Sequence, residues 1–480
     1  MKASIYNFAL PTDNGSWLLF NARTGRMLDL TGPQASRLAR SLTGAADDEE
    51  VAIDAESLGA LTSQEFVIED TFDELEAIRS MYWKARSDAP AVVTITTTLD
   101  CNLGCFYCYE ERSADSLQAE DMPAILLRIQ SVLNGSTRKS LHVDWYGGEP
   151  TLNLPFLESA SSAIQNLCSH LGVKYSASII SNGTAWPEDV EAFIERHRIR
   201  QAQITFDGMR SNHNRRRRFT RRADSERSSF DEASALVSRL VDVCRVDIRY
   251  NVDHLNAQDF VPFVEFAREQ KWFSAKYQAT FQPARVAGYT EKSRFVEKVG
   301  LADDEFHELK RQVSALLSSQ AMVEPETPSG YATPKTSVCA ALSNQAIVIG
   351  ADRKLYRCGL QVSEPRRAVG PLASGLFRIL DNESRFTDER WWAEFDPTTL
   401  PTCSVCSFLP ICLGSCPKKQ LERDTATLDA QSLYWRTHLA RLICKTAHIP
   451  EVAWQFTETD QFRLLPSANP APAEEVLVRS

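Results

Sequence analysis

The chain has 480 residues, 43% hydrophobic and 24% charged; this length suits about three domains of roughly 150 residues, and the composition excludes disordered, collagen-like and small disulfide-scaffold classes. Its 53 basic and 63 acidic side chains leave a net charge of −10, which argues against nonspecific nucleic-acid binding. No run of 18 apolar residues occurs, so no membrane contact is expected, and the start MKASIYNFAL is broken by Tyr6 and Asn7 where a signal peptide needs an apolar stretch.

Residues 1–88 read as a small α+β domain. Strand-like Ser16 to Phe20 and Arg26 to Leu30 flank the turn signal Arg23-Thr24-Gly25, and helix-like Gln34 to Leu42 follows. A short strand, Phe66 to Ile68, precedes a helix over Thr71 to Lys84 with Glu74 and Arg79 on its polar side. A simple cover for the core is an equally open reading of this domain. Residues 89–320 alternate β-rich runs (Val92 to Leu99, Leu141 to Trp145, Ser176 to Ile180, Gln203 to Phe206, Val246 to Val252, Tyr277 to Phe281) with amphipathic helices (Met122 to Leu133, Phe156 to His170, Val190 to His197, Phe230 to Val243, Phe260 to Lys271). The fold class is therefore α/β, with parallel β-α units curled into a full or partial barrel and ligands at the carboxyl ends of the strands. Over 321–450 the alternation gives way to loops with paired cysteines. Residues 451–480 read as a C-terminal tail, mobile from Ser467 to Ser480.

The chain's 12 cysteines are clustered: none precedes Cys101, three fall at 101, 105 and 108, two are isolated at 168 and 244, and seven lie between 339 and 444. A cytoplasmic location is expected, where such thiols bind metal or do chemistry rather than form disulfides. Cys168 and Cys244 lie among apolar neighbours and read as buried small hydrophobes. After the first strand comes Cys101-Asn-Leu-Gly-Cys105-Phe-Tyr-Cys108-Tyr109. Three thiolates on one loop hold three irons of a [4Fe–4S] cubane and leave the fourth open, since an all-cysteine site takes four. A zinc knuckle needs another nearby Cys or His, and none occurs between Cys108 and His142.

This motif, placed after the first strand of a β-α series, resembles the radical SAM superfamily. The resemblance implies a partial (β/α)6 barrel whose open iron chelates S-adenosylmethionine. It assigns the methionine amino group to Gly147, Gly148 and Glu149, which are followed by Pro150. The backbone of Tyr107 meets the adenine. Ser181, Asn182 and Gly183 match the family's Thr-Asn-Gly, and Thr205-Phe206-Asp207-Gly208 matches its ribose-contacting Ser-x-Asp-Gly. His213 and Arg217 stand at the family's offsets from that serine, with Arg217 a partner for the SAM carboxylate. Arg249 and Asn251 also face the cofactor in this reading. The arginine run Arg215 to Arg218, with Arg221 and Arg222, is either a solvated loop or a contact for an acidic peptide or leader.

Cys403-x2-Cys406-x5-Cys412-x3-Cys416, with Cys339, Cys358 and Cys444, resembles the seven-cysteine SPASM extension. That implies two auxiliary iron–sulfur clusters, a distal one on Cys403, Cys406, Cys412 and Cys444 and a proximal one on Cys339, Cys358 and Cys416. Two positions depart from the pattern: Asp352-Arg353 replaces the usual Asp-Gly turn, and Gly359 stands where anaerobic sulfatase maturases carry an aspartate base. The resemblance spans residues 90 to 445 and implies an enzyme that cleaves SAM to a 5′-deoxyadenosyl radical. Its expected substrate is a peptide or protein, with crosslinking of a ribosomally made peptide the leading expectation. The N-terminal region loosely resembles leader-binding domains, which add an extended leader as a strand. An external donor such as flavodoxin or ferredoxin would supply electrons. Sulfatase-maturase-like side-chain oxidation, a small-molecule reaction, and an iron–sulfur electron carrier or redox sensor stay open.

Overall fold

A computed structural model describes residues 1–13, 15–44, 53–318, 332–373, 387–452, 454–456 and 464–466. The tail expected from Ser467 to Ser480 lies outside the described residues. The chain divides into two compact units, one of Met1–Arg86, Pro325–Cys339 and Glu394–Ser480, the other of Ser87–Glu324 and Ala340–Ala393.

The first unit begins with β1 (Lys2–Ala3) and a meander of β2 (Asn7–Pro11), β3 (Trp17–Asn21) and β4 (Met27–Leu30), followed by α1 (Ala35–Leu42) and α2 (Ala55–Ser63). β5 (Val67–Ile68) pairs antiparallel with β1, and α3 (Glu74–Ser87) follows. Ala9, Leu19, Leu30, Ala39, Leu42, Leu61 and Phe66 pack as one core. Two buried asparagines serve the backbone there. Asn7 Nδ2 donates to the carbonyls of Leu42 (3.0 Å) and Phe66 (2.8 Å), while Asn21 Oδ1 accepts from the Arg23 and Thr24 amides and closes the turn expected at Arg23-Thr24-Gly25.

The second unit is built on nine strands. β6 (Ala91–Thr96), α4 (Met122–Asn134), β7 (Ser140–Tyr146), α5 (Leu154–His170), β8 (Lys174–Ser181), α6 (Val190–Arg196) and β9 (Ile199–Phe206) lead through α7 (Arg210–Arg216) and α8 (Ser229–Leu240) to β10 (Arg245–Val252), α9 (Phe260–Glu269), β11 (Thr280–Arg285) and α10 (Asp303–Ser318). β6 to β11 run parallel in sequence order. The sheet continues beyond β6 through β12 (Ala346–Ile349), parallel to it, then antiparallel β13 (Lys354–Tyr356) and β14 (Gly370–Pro371). Its outer strands, β11 and β14, do not pair with each other, so the barrel is partial, as expected.

Period-two alternation divides the strands into two faces. On β7, Leu141, Val143 and Trp145 are buried, while His142, Asp144 and Tyr146 alternate with them on the opposite, lumenal face. That face is polar. Asp144 accepts from Ser178, from Thr94 (3.4 Å) and from His142 (3.2 Å), and Asp247 accepts from Gln201 and Thr280. Burial pushes Asp144 up, but the bonds from His142 and Ser178 outweigh it and hold the carboxyl below its ordinary value.

The regular structure after 321 exceeds the expectation of cysteine-bearing loops. α11 (Thr387–Glu394), the short α12 (Pro401–Ser404), α13 (Leu409–Cys412) and α14 (Pro417–Glu422), and the 23-residue α15 (Thr425–Ala447) follow the added strands. α15 escaped the periodicity reading because its buried residues, Leu439, Ala440, Leu442, Ile443 and Cys444, are confined to its last turns.

Asn7→Ala removes two carbonyl partners from the first unit's core. It is expected to destabilise the protein by about 1–3 kcal/mol, measured by chemical denaturation. An unchanged midpoint would show that water takes over the bonds.

Candidate cofactor site at the strand ends

Three cysteines converge on the loop that leaves β6. Its path is set by backbone pairing with two neighbouring segments. Gly148 and Glu149 amides donate to Thr98 and Asp100 carbonyls (3.0 and 2.9 Å), Gly104 donates to Arg218 (2.8 Å), and Thr220 donates to Asn102 (2.9 Å). The two glycines permit the first of these contacts. A Cβ on Gly147, where φ is +144°, would lie 2.2 Å from the Thr98 carbonyl oxygen, and one on Gly148 would lie 2.4 Å from that of Asp100. Close approach is thus required here by the strand that launches the cysteine loop.

Glu149 is fully buried and its carboxylate is committed within the chain. It accepts from Thr151 Oγ1 (2.6 Å), Ser181 Oγ (2.8 Å) and the Asn182 amide (2.7 Å), which ties the end of β7 to the end of β8. Ser181 in turn accepts from Gly183 and Trp186. Asn182 reaches the cysteine loop, donating to Asn102 Oδ1 at 2.8 Å and approaching Cys101 Sγ at 3.7 Å. Thr205 lies beside Arg249 in the β9–β10 register.

Beneath the loop lies a buried charge network. Arg216 binds Asp253 through two bonds (3.1 and 2.8 Å) and Asp207 through one (3.2 Å). Arg217 donates to the Tyr107 hydroxyl (2.7 Å) and lies 3.6 Å from Asp207. The Tyr107 hydroxyl donates to Asp207 Oδ1 (2.8 Å) and accepts from Asn251 (3.0 Å). Asp207 and Asp253 are fully buried, and Arg216 and Arg217 are only 4% and 6% exposed. The expected arginine patch is therefore divided: Arg216 and Arg217 belong to the interior, while Arg215, Arg218, Arg221 and Arg222 are exposed. His213 is buried against Phe206 and Phe230; burial, then Arg217 and Arg216, hold its pKa well below the ordinary value, so the ring is neutral.

Burial pushes Cys101 and Cys108 up to about 12, and the adjacent Cys105 adds to the shift. Cys105 is also raised by burial, opposed by the Arg217 guanidinium. Thiols so placed ionise when a cation compensates them, so metal loading releases protons. Among the described residues no three His, Cys, Asp or Glu side chains form a single-ion site; a cubane instead spreads its ligands over separate irons. The donors fit such a group: three cysteines on one braced loop, with the buried cation of Arg217 beside Cys105 and its Nε without a protein partner.

Sequence reasoning did not single out Asp253, Tyr109, Tyr146 or Glu110. Tyr109 and Tyr146 hydroxyls are in hydrogen-bond contact, and Tyr109 packs edge-on against Tyr289. Glu110 Oε1 is buried without a hydrogen-bond partner, and burial raises its carboxyl to about 8. Aromatic and acidic residues flanking a cluster motif were the available signal. Cys168 and Cys244 are buried, 1% and 2% exposed.

The other cysteines divide between the units. Cys358 belongs to the unit of the barrel, and Cys339, Cys403, Cys406, Cys412, Cys416 and Cys444 to the other. Cys403 in α12, Cys406 on the loop that follows and Cys412 at the end of α13 are electrostatic neighbours; burial raises Cys403 to about 11, with Cys412 and Cys406 adding to the shift. Cys444 is buried near the end of α15, with Glu451 and Asp13 among its charged neighbours.

Gly147→Ala is expected to cost about 1–3 kcal/mol, the usual penalty of overpacking, and to lower cluster occupancy. Gly359→Ala, whose added Cβ meets nothing within 4 Å, should stay within about 0.5 kcal/mol of the parent. Denaturation midpoints and iron content check both; equal effects would refute the close-packing account.

The sequence over residues 95–267 matches the radical SAM superfamily. A comparison with curated proteins found no match. Among solved structures, anSMEcpe with bound AdoMet superposes with a TM-score of 0.50 at 19% identity, covering 68% of this chain and 89% of that one. Native anSMEcpe with AdoMet and Kp18Cys peptide gives 0.54 at 16% identity, covering 75% and 100%. SuiB of Streptococcus suis bound to precursor peptide SuiA gives 0.48 at 14% identity, covering 86% and 95%. At these identities the likeness is one of fold. Through the cysteine loop and the parallel strands that follow it, the chain is similar to the radical SAM superfamily over residues 95–267.

Proposed function

We propose that the protein is a radical SAM enzyme that modifies a peptide or protein side chain, with crosslink formation in a ribosomally made peptide the leading reaction. The observation that carries this reading is the convergence of Cys101, Cys105 and Cys108 with Tyr107, Arg217 and the Gly147–Glu149 segment at the carboxyl ends of parallel strands. When bound, a [4Fe–4S] cluster on the three cysteines supplies one-electron reductive cleavage of S-adenosylmethionine to a 5′-deoxyadenosyl radical.

The chain's own residues set the conditions for that chemistry. Arg217 places positive charge beside Cys105 and stabilises a thiolate there. Asn182 directs an N–H at Cys101 Sγ. Asp207 and Asn251 hold the Tyr107 side chain, so its backbone, expected to meet the adenine, has a set position. Ser181 and Glu149 act as braces in this reading, because their polar atoms bind one another and nearby backbone. The SAM carboxylate is assigned to Arg217 and the ribose side to Thr205.

The C-terminal cysteines support two auxiliary iron–sulfur clusters of the SPASM type, with the distal and proximal sets assigned as in the sequence. Residues 1–88 are assigned to leader recognition. In the β2–β3–β4 meander, β4 is an outer strand with three of its four residues at least partly exposed, and an extended peptide adds to such an edge. The peptide-bound anSMEcpe structure, which shares the fold, supports a peptide substrate. Against sulfatase-type oxidation stands Gly359, which puts no carboxylate after Cys358. An electron carrier has no use for the pocket residues around Tyr107 and Arg217.

The anaerobically reconstituted protein is expected to convert SAM to 5′-deoxyadenosine under dithionite, and Cys105→Ala to lose that activity. Intact clusters without cleavage would sink the enzyme reading. Co-expression with a short peptide encoded beside this reading frame should lower the peptide's mass by about two hydrogens for each crosslink formed. An unchanged mass would remove the crosslinking reaction.

A further inference from the structure

Tyr6 precedes β2 in the N-terminal segment and is fully buried, yet its hydroxyl has no hydrogen-bond partner. A phenol buried in that state is costly, so its surroundings indicate what it serves. The nearby carboxylate is taken: Glu74 accepts from Ser4 Oγ (2.5 Å), the Ile5 amide (3.1 Å) and Arg23 (3.1 Å). Two residues on, Phe8 packs its ring against Phe408 at 5.0 Å. Phe408 lies between Cys406 and Cys412, and its amide-linked turns order the cysteine loop, with the Cys412 amide donating to the Phe408 carbonyl at 2.9 Å. A second donor arrives from α15. The Arg436 guanidinium stands 5.9 Å from the Phe408 ring centroid, and its Nη1 is also buried without a partner. Cys406 is among the charged neighbours of Tyr6, after Glu74, and Arg436 is among those of Cys406.

Two unpaired buried donors, from opposite ends of the chain, thus surround one loop of three cysteines. We propose that Tyr6 and Arg436 donate hydrogen bonds to sulfur of the distal auxiliary iron–sulfur cluster assigned to Cys403, Cys406, Cys412 and Cys444, making the N-terminal segment a wall of that cluster's site. The inference rests on the auxiliary-cluster reading above. Both are positioning residues: they contribute no ligand, and their effect falls on the cluster's reduction potential, which rises with hydrogen bonding to sulfur.

The test uses the full chain with Cys101, Cys105 and Cys108 replaced by alanine, so that only auxiliary clusters load. Iron and sulfide are counted, and midpoint potentials are read by electron paramagnetic resonance in a redox titration. Tyr6→Phe, which removes one oxygen, is expected to keep the iron and make the cluster about tenfold harder to reduce, a shift of about 59 mV for one electron. Arg436→Met should shift the potential in the same direction. Phe8→Leu, which alters packing and no donor, should lower the denaturation midpoint and leave the potential in place. Retained iron with an unchanged potential in both donor variants overturns the proposal while the auxiliary-cluster reading survives. Equal shifts from Phe8→Leu and Tyr6→Phe also overturn it. A background that binds no iron overturns the auxiliary-cluster reading and the proposal with it.

Discussion

The cysteine loop depends on a balanced set of four charges buried beneath it. Arg216 and Arg217 face Asp207 and Asp253, with the Tyr107 hydroxyl joining the two sides. Removing one member of such a pair typically costs about 3–5 kcal/mol, because it leaves a buried charge unmatched. The network therefore tolerates little rearrangement. Its members come from the loop itself, the end of β9, α7 with its C-cap, and the residue after β10. Strand ends separated by long stretches of chain are held to one another by charge, and Tyr107 carries that constraint into the C-x2-C part of the motif.

The rest of the strand-end architecture follows the same division of labour. β-α units deliver each segment to the same edge, while short polar contacts set the final positions. Glu149 fixes Ser181 and Asn182, Asn182 fixes Asn102 and Cys101, and the Gly148 and Glu149 amides fix Thr98 and Asp100. Below this rim the lumen is filled by Asp144, His142, Ser178, Gln201 and Asp247 instead of the packed aliphatic layers of a closed barrel. A polar lumen in an incomplete barrel leaves charged and hydrogen-bonding groups available inside the curve of the sheet.

Much of the core was legible in the sequence because helices and half-buried strands advertise themselves by period. β7, α5 and β10 lie within a few residues of their expected bounds. β9 begins at Ile199, four residues before its expected start, because Arg200, Gln201 and Gln203 are polar on the exposed and lumenal side. β11 lies further along the chain than expected, and Pro283 within it is tolerated because that strand is the sheet edge. β2 went unread since Asn-Phe-Ala-Leu-Pro buries its first four residues without alternation. At the site, the cysteine spacing and the Gly-Gly-Glu segment were readable as local motifs. Asp253 was not, because its role lies in a contact with Arg216 across 37 residues, and no spacing rule reports such a partner.

The first unit joins N-terminal and C-terminal parts of the chain in one packed body. Tyr82 and Arg86 of α3 both donate to the Phe395 carbonyl (2.7 and 3.0 Å), and Arg79 and Trp83 hold Asp396 (2.9 and 3.1 Å). Asp396 caps the turn that leads into α12, where Cys403 lies, and Phe8 of β2 meets Phe408 of the same cysteine loop. Under the proposed leader role, a peptide added to the β4 edge would bear on β3, whose neighbour is β2. Coupling needs a continuous path of packed elements whose arrangement both ends can bias. The three-stranded meander and the Phe8–Phe408 contact supply such a path, with Tyr6 leading into β2. The N-terminal sheet thus packs on the segment that carries Cys403, Cys406 and Cys412, so a change of packing in β2 is felt as stability at that segment.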